Sequence, residues 1–449
     1  MAIKALFNRS PSLSVTLSEE LLFVHPTYQE PEEPTPGFSR DPMLLGTALL
    51  SLPSPRAVSR IKVVFEGLTD ASAGSGYPYE TTTSLCKELE LDLKGEVVEA
   101  GKHAFNFSFI VPSSTAPYQR CNYGRTRHSV KATATFADSW SSSVVKSPPI
   151  AVYVTASPHG PGEAPQSMDL SLEHYSEDLG PVGVTFASPR LTVAALVNFR
   201  LTLLGAPTPL KIISCNVLVE QRFSITYTSG EVARPPARRY NLTKIEGSSA
   251  APSLCVNKGI TPLGATTNAY IPNDPHPPSA DIPSPDPDSL ADLGAGEAFQ
   301  YSRTMRVDID DYVRASTLEG TETPINVSHK LLIEVRYRVQ GEKGDKIFLL
   351  GKDVVIGSCC GLADSLYLPA YSRCSPQTVL RPLDQRCWCC LDTKELMDRD
   401  GEALQRAGSI EEPSSEARIL GQDKSPAVGD GAGRAMPSPA LRSMELLES

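Results

Sequence analysis

The sequence predicts an all-β protein made of two antiparallel β-sandwiches in succession. Apolar residues recur at every second position in many short runs, which is the spacing of a strand with one buried face. Turn-forming residues separate the runs, with 39 prolines and 31 glycines among 449 residues, while helical spacing is scarce; strands joined by loops fit this better than helices. The length suits two or three domains, and a hydrophobic fraction of 40% can fill their cores.

Leu13, Val15 and Leu17 alternate and Leu21–Val24 follows, both as edge strands. HPTYQEPEEPTPG reads as a loop, and Met43–Leu52 and Ile61–Leu68 as strands, with Ile61, Val63 and Phe65 on one face. Residues 69–84 are rich in Gly, Ser and Thr and read as a long loop, beyond which Leu89, Leu91 and Leu93 alternate. A turn at Glu99–Gly101 leads to Phe105, Phe107 and Phe109, which point away from Ala104, Asn106 and Ser108. Pro112 ends that strand because it has no amide proton for a ladder. An irregular stretch runs from Ser113 to Asn122; from Gly124 onward, Val130, Ala132, Ala134 and Phe136 share a face. Val144–Val145 and Ile150–Val154 close a first domain, 1–156.

SPHGPGEAPQS, at 157–167, has linker composition. A second domain, 168–358, contains Val182–Phe186, Leu191–Leu204 and Leu210–Tyr227 as strands, and Asp353–Gly357 as its last. INVSHKLLIEVRYRV sets His329, Leu331, Ile333, Val335 and Tyr337 at alternate positions. Residues 248–297 hold too little apolar surface to fold alone and read as a disordered insertion. Residues 359–449 form a cysteine-containing segment and an acidic tail, expected to be disordered except for a short helix at Thr393–Ala407.

A net charge of −10 argues against nucleic-acid binding. The longest apolar runs, Met43–Leu52 and Leu191–Val197, are too short and interrupted for a membrane-spanning helix. The first residues lack the apolar core of a secretory signal, so the ten cysteines are expected to be reduced cytosolic thiols. Six of them, Cys359, Cys360, Cys374, Cys387, Cys389 and Cys390, are adjacent or one apart, unlike the paired spacing of zinc sites. Hydrolase, zinc-protease and P-loop motifs are missing, and Asp308, Asp310 and Asp311 match no calcium loop. No metal and no cofactor are expected. His103 and His128 are expected at the surface.

Two binding features stand out. Leu368-Pro369-Ala370-Tyr371 sets a tyrosine two residues after a proline, which suits a WW domain; the competing reading is a strand end with Tyr371 buried. His25–Tyr28 is a poorer match and reads as a loop. Basic residues gather at Arg234, Arg238, Arg239 and Lys244, and again at Arg120, Arg125 and Arg127. Such patches suit anionic lipid headgroups or acidic cargo tails, against the plainer reading of solvated loops.

The ordered set Gly101, Phe105, Phe107, Phe109, Pro112, Gly124, Arg127, Val130 and Ala132 resembles the N-terminal domain of the fungal arrestin-like proteins, the α-arrestins. The resemblance continues through Leu210–Phe223, with its Leu/Val-x-x-Gln pattern, and through the strand in which His329 precedes alternating apolar residues. It spans roughly residues 10–357 and is strongest at 93–136. It implies two tandem immunoglobulin-like (arrestin-like) sandwiches and a non-enzymatic trafficking adaptor, cytoplasmic and recruited to the plasma membrane or endosomes. Such an adaptor recognises cytosolic tails of plasma-membrane transporters or receptors, with peripheral membrane contact through a basic patch. Leu368, Pro369, Ala370 and Tyr371 would recruit a WW-domain HECT-type ubiquitin ligase and so promote endocytosis, with Leu-Pro-x-Tyr standing where Pro-Pro-x-Tyr is usual. The buried opposite charges of visual and β-type arrestins have no counterpart legible in this sequence. An arrestin-fold scaffold for signalling or vesicle sorting, without ligase recruitment, is the alternative. A β-rich hydrolase is a third reading, which a deep pocket lined by convergent perturbed polar groups would favour.

Overall fold

Alternation becomes structure most plainly in Arg56–Ala71, where Val58, Ile61, Val63 and Phe65 are buried while Lys62, Val64 and Glu66 are not. The chain, a computed structural model, is described at residues 10–28, 41–137, 143–160, 167–246, 255–257, 289–307, 312–362 and 394–396. It is nearly all β-strand.

The first half comprises β1 (Ser12–Leu17), β2 (Leu21–Val24), β3 (Met43–Leu52), β4 (Arg56–Ala71) and β5 (Glu80–Val98), then β6 (Gly101–Ile110), β7 (Gln119–Cys121), β8 (Gly124–Phe136), β9 (Val144–Lys146) and β10 (Ile150–Ala156). A small sheet runs β1-β3-β6, and a larger one runs β2-β10-β8-β4-β5 with β7 and β9 also paired to β8. All these ladders are antiparallel except β2–β10. The two sheets enclose one apolar core containing Phe65, Phe107, Phe109 and Phe136. Gly46 of β3 is required there, since a Cβ would stand 2.7 Å from the Thr16 carbonyl oxygen and against the Phe107 ring.

The second half comprises β11 (Met168–Ser176), β12 (Gly180–Ser188), β13 (Leu196–Leu203), β14 (Leu210–Thr226), β15 (Val232–Ala233) and β16 (Arg238–Glu246), then β17 (Cys255–Asn257), β18 (Ala291–Leu293), β19 (Ala298–Arg306), β20 (Ile325–Val339) and β21 (Lys346–Val354). One sheet runs β11-β12-β13-β19-β17. In the other, the long β14 pairs β20 on one side and β15, β16 and β18 on the other. Their core is separate from the first and includes Phe186, Phe199, Tyr301 and Ile333. Among the described residues no ladder longer than an isolated bridge joins the halves.

Several expectations need correction. The loop expected at 69–84 shrinks to the turn at 72–79, because β4 and β5 form one long hairpin whose ends, 69–71 and 80–84, are mostly small polar residues without apolar alternation. Leu191–Leu204 is a strand only from Leu196; Ala194, with a φ of 64°, sits in a turn before it. The last strand is Lys346–Val354 instead of Asp353–Gly357, because a turn at 340–345 folds it back on β20. The 248–297 segment is not uniformly unstructured: Ala291–Leu293 pairs β14 and Leu293 is 3% exposed. Its short Leu290, Ala291 and Leu293 signal was masked by the flanking Pro and Asp residues. His128 is 3% exposed, not superficial, since it shares the inward face of β8 with Val130. At 394–396 the chain is helical, with Leu396 buried in the second core, and the rest of Thr393–Ala407 lies outside the described residues. No described helix is long and apolar enough to cross a membrane.

Candidate functional site

A third apolar cluster joins the halves. Ala71, Ala73, Cys121 and Tyr123 from the first meet Phe223, Ile225, Tyr227, Ile325 and Val327 from the second. Tyr123 packs edge-on against Phe223 with ring centroids 4.8 Å apart, Tyr77 stacks on Tyr227, and the Tyr227 hydroxyl accepts the Ala73 amide proton at 2.8 Å. Gly124, with a φ of 149°, lies at this joint; a Cβ would be 2.9 Å from Ile325 Cδ1 and would strike the Asp70 carbonyl. Only glycine tolerates both the conformation and the approach.

Beside the joint opens a cleft of about 490 Å³, walled by Tyr118, Arg120 and Tyr153 from the first half and by Arg314, Ser316 and Cys359 from the second. Tyr118 and Tyr153 meet edge to face at 5.3 Å. A recess of about 250 Å³ shares Tyr118 and Arg120 with it and reaches Arg125 and Arg127.

Behind the cleft wall lies a buried polar chain. Gln221 and His329 are direct cross-strand partners in the β14–β20 ladder, and His329 Nε2 lies 3.0 Å from Gln221 Oε1. Its Nδ1 lies 2.8 Å from Ser316 Oγ, which also accepts the Ile356 amide proton at 2.8 Å. Gln221 Oε1 accepts the Arg314 amide proton, and its amide nitrogen donates to the Tyr312 carbonyl. One proton arrangement satisfies every member: neutral His329 donates from Nε2 to Gln221 and accepts the Ser316 hydroxyl proton at Nδ1. Burial pushes the His329 pKa down to about 4. Serine next to histidine resembles an activated nucleophile, but this base is too weak at neutral pH and is backed by an amide rather than a carboxylate. Mechanically, the chain latches residues 312–316 and Ile356 onto the β14–β20 ladder.

A second polar centre stands on the outer face of β4. The Asp70 carboxylate is almost fully buried and receives hydrogen bonds from Arg125 Nε at 2.9 Å, from Arg127 and from the Thr81 hydroxyl at 2.8 Å. Burial alone would raise its pKa, but these donors outweigh burial and hold it down to about 2. Two of the three arginines of this basic group are therefore tied to one carboxylate, while Arg120, on β7, is the cross-strand partner of Arg125.

The patch at Arg234, Arg238, Arg239 and Lys244 is likewise dispersed. Apart from Arg234, it lies on strand β16 rather than in a loop. Arg239 binds buried Glu220 at 2.8 Å, Lys244 pairs Glu246 at 2.6 Å, and the Arg238 guanidinium sits over the Tyr123 ring at the joint. Leu368, Pro369, Ala370 and Tyr371 lie outside the described residues, as do Cys374, Cys387, Cys389, Cys390, Asp308, Asp310 and Asp311. His25–Tyr28 is a packed turn, with His25 Nδ1 hydrogen-bonded to the His159 carbonyl. Among the described residues no group of His, Cys, Asp or Glu is arranged to hold a metal ion.

No protein-family model matches the chain, and no curated protein matches it. The residues themselves must carry the functional reading. Asp70 and Ser316 escaped the sequence because Asp70 is a polar residue on the outer face of β4 and Ser316 stands in no strand. Gln221 and His329 were visible separately, but their contact spans 108 positions.

Proposed function

We propose that the chain is an α-arrestin-like adaptor. Its two immunoglobulin-like sandwiches would present the inter-half cleft to the cytosolic part of a membrane transporter or receptor. Leu368–Tyr371 would recruit a WW-domain HECT-type ubiquitin ligase, and ubiquitination of the cargo would lead to its endocytosis. The observation that carries this reading is that four of the resemblance residues, Gly124, Arg127, Gln221 and His329, lie far apart in sequence yet close to one junction. Gly124 and Arg127 lie beside Asp70, Gly124 faces Ile325 of β20, and Gln221 meets His329 on that same strand. These residues serve a joint between two sheet pairs and not a reaction centre. The weakly basic, fully satisfied His329–Ser316 pair supports a binding role without chemistry of its own.

The test is binding of the full-length chain, wild type and Tyr371→Ala, to isolated WW domains. Binding that vanishes in the variant, with an unchanged melting temperature, is the expected result. Wild-type chain that ignores WW domains would move the reading to a scaffold without ligase recruitment. Loss of folding stability in the variant would instead make Tyr371 a packing residue.

A further inference from the structure

The two sheets of the first half are unequal, and the difference leaves a shelf. Phe109 of β6 lies 6.2 Å from Phe65 of β4, so the last strand of the small sheet stacks over β4. The larger sheet continues outward by one more strand, β5, which the small sheet covers only in part: Leu85, Leu93 and Val98 reach the core. Leu89 and Leu91 share the inward face of β5 with buried Leu85, yet are 41% and 42% exposed. Above them, β6 pairs with β3 alone among the described residues, so its other edge is open.

The two open edges are built differently. From Lys87 to Glu96, β5 carries Lys87, Glu88, Glu90, Asp92, Lys94 and Glu96, the kind of charge that discourages strand addition. From Ala104 to Ile110, β6 carries no charge and no proline. An unguarded edge of that length recruits another strand through its free amide and carbonyl groups.

We propose that the β6 edge above the β5 shelf is a docking groove for a single extended peptide segment of another protein, added as a fourth strand to the small sheet. Alternate apolar side chains of the peptide would cover Leu89 and Leu91. Acidic residues at its ends would meet two lysines. Lys87 is the register partner of Phe65 and therefore sits at the Phe109 end, while Lys102 begins β6 at the other. Neither lysine has an ion pair among the described residues. Antiparallel two-fold pairing of β6 with the β6 of a second copy would drive that copy's β4 into the space that β5 already fills, whereas a lone strand meets no such overlap. The proposal does not depend on ligase recruitment.

The experiment titrates the full chain into a fluorescein-labelled peptide, acetyl-Glu-Glu-Thr-Val-Thr-Val-Thr-Val-Glu-Glu-amide, and reads anisotropy and amide exchange. Wild type is expected to bind and to slow exchange at residues 104–110. Leu91→Lys, which puts a charge on an already exposed site, is expected to melt normally and to bind about tenfold more weakly. A Lys87→Glu, Lys102→Glu double variant is expected to prefer the same peptide with lysine ends. Equal binding by Leu91→Lys, absence of wild-type binding, or protection elsewhere than β6 would overturn the proposal. A dimer that dissociates in Leu91→Lys would overturn it in favour of a second copy.

Discussion

Each half of the molecule buries one histidine on a central strand, His128 on β8 and His329 on β20, and each pKa is pushed down by burial to about 4. Their surroundings differ. His329 has a partner at both ring nitrogens, and its neighbours are satisfied in turn. Neither nitrogen of His128 has a hydrogen-bond partner among the described residues. It is held by shape: Phe65 lies 6.1 Å away, and Gly67 makes room, since a Cβ there would stand 2.7 Å from the imidazole Cδ2. The Ser84 hydroxyl, buried beside it, is also unpartnered among the described residues. One histidine therefore specifies a junction, while the other fills a space that an apolar side chain of similar size would fill at lower cost.

The largest effect expected is on acid stability, where the two should behave alike. A folded pKa of about 4 against an ordinary 6.5 means that the unfolded chain binds more protons between those values. Stability is then complete above pH ~6.5 and is lost as pH falls toward 4, by about 3 kcal/mol for each histidine. Urea denaturation at a series of pH values measures this, and a flat profile down to pH 4 would show that the imidazoles are solvated in the folded state. Next in size, His329→Ala should cost about 3 kcal/mol at neutral pH, because Ser316 and Gln221 lose their shared partner and a cavity opens. Faster exchange of the Ile356 amide would locate the damage at the latch. Smallest and opposite in sign, His128→Leu should leave stability unchanged or raise it by about 1 kcal/mol, and should remove its share of the acid sensitivity. A loss as large as that of His329→Ala would break the comparison and reveal a partner for the His128 nitrogens.

Alternation made several strands legible in advance. Met43–Leu52 falls where the sequence puts it, and Phe105, Phe107 and Phe109 share a face as expected, with Phe105 only half-buried. Strand β5 was poorly legible for the reason that makes it a shelf. As an edge it carries charges on one face and half-covered leucines on the other, so its leucines alternate without being buried. His128 was misplaced because a polar residue in an alternating run says nothing about whether its face is covered.

By itself the sequence determined the strand-forming tendency of the chain and the inward faces of β4, β6, β8 and β20. Those properties depend on neighbours within a few residues, where the two-residue period of a strand suffices. Tertiary structure alone decided that Asp70 collects Arg125 and Arg127, that Gln221 meets His329, and that β5 overhangs β6. Each of these depends on which strands lie side by side or face to face across one sandwich, and a local pattern carries no information about pairing at that distance.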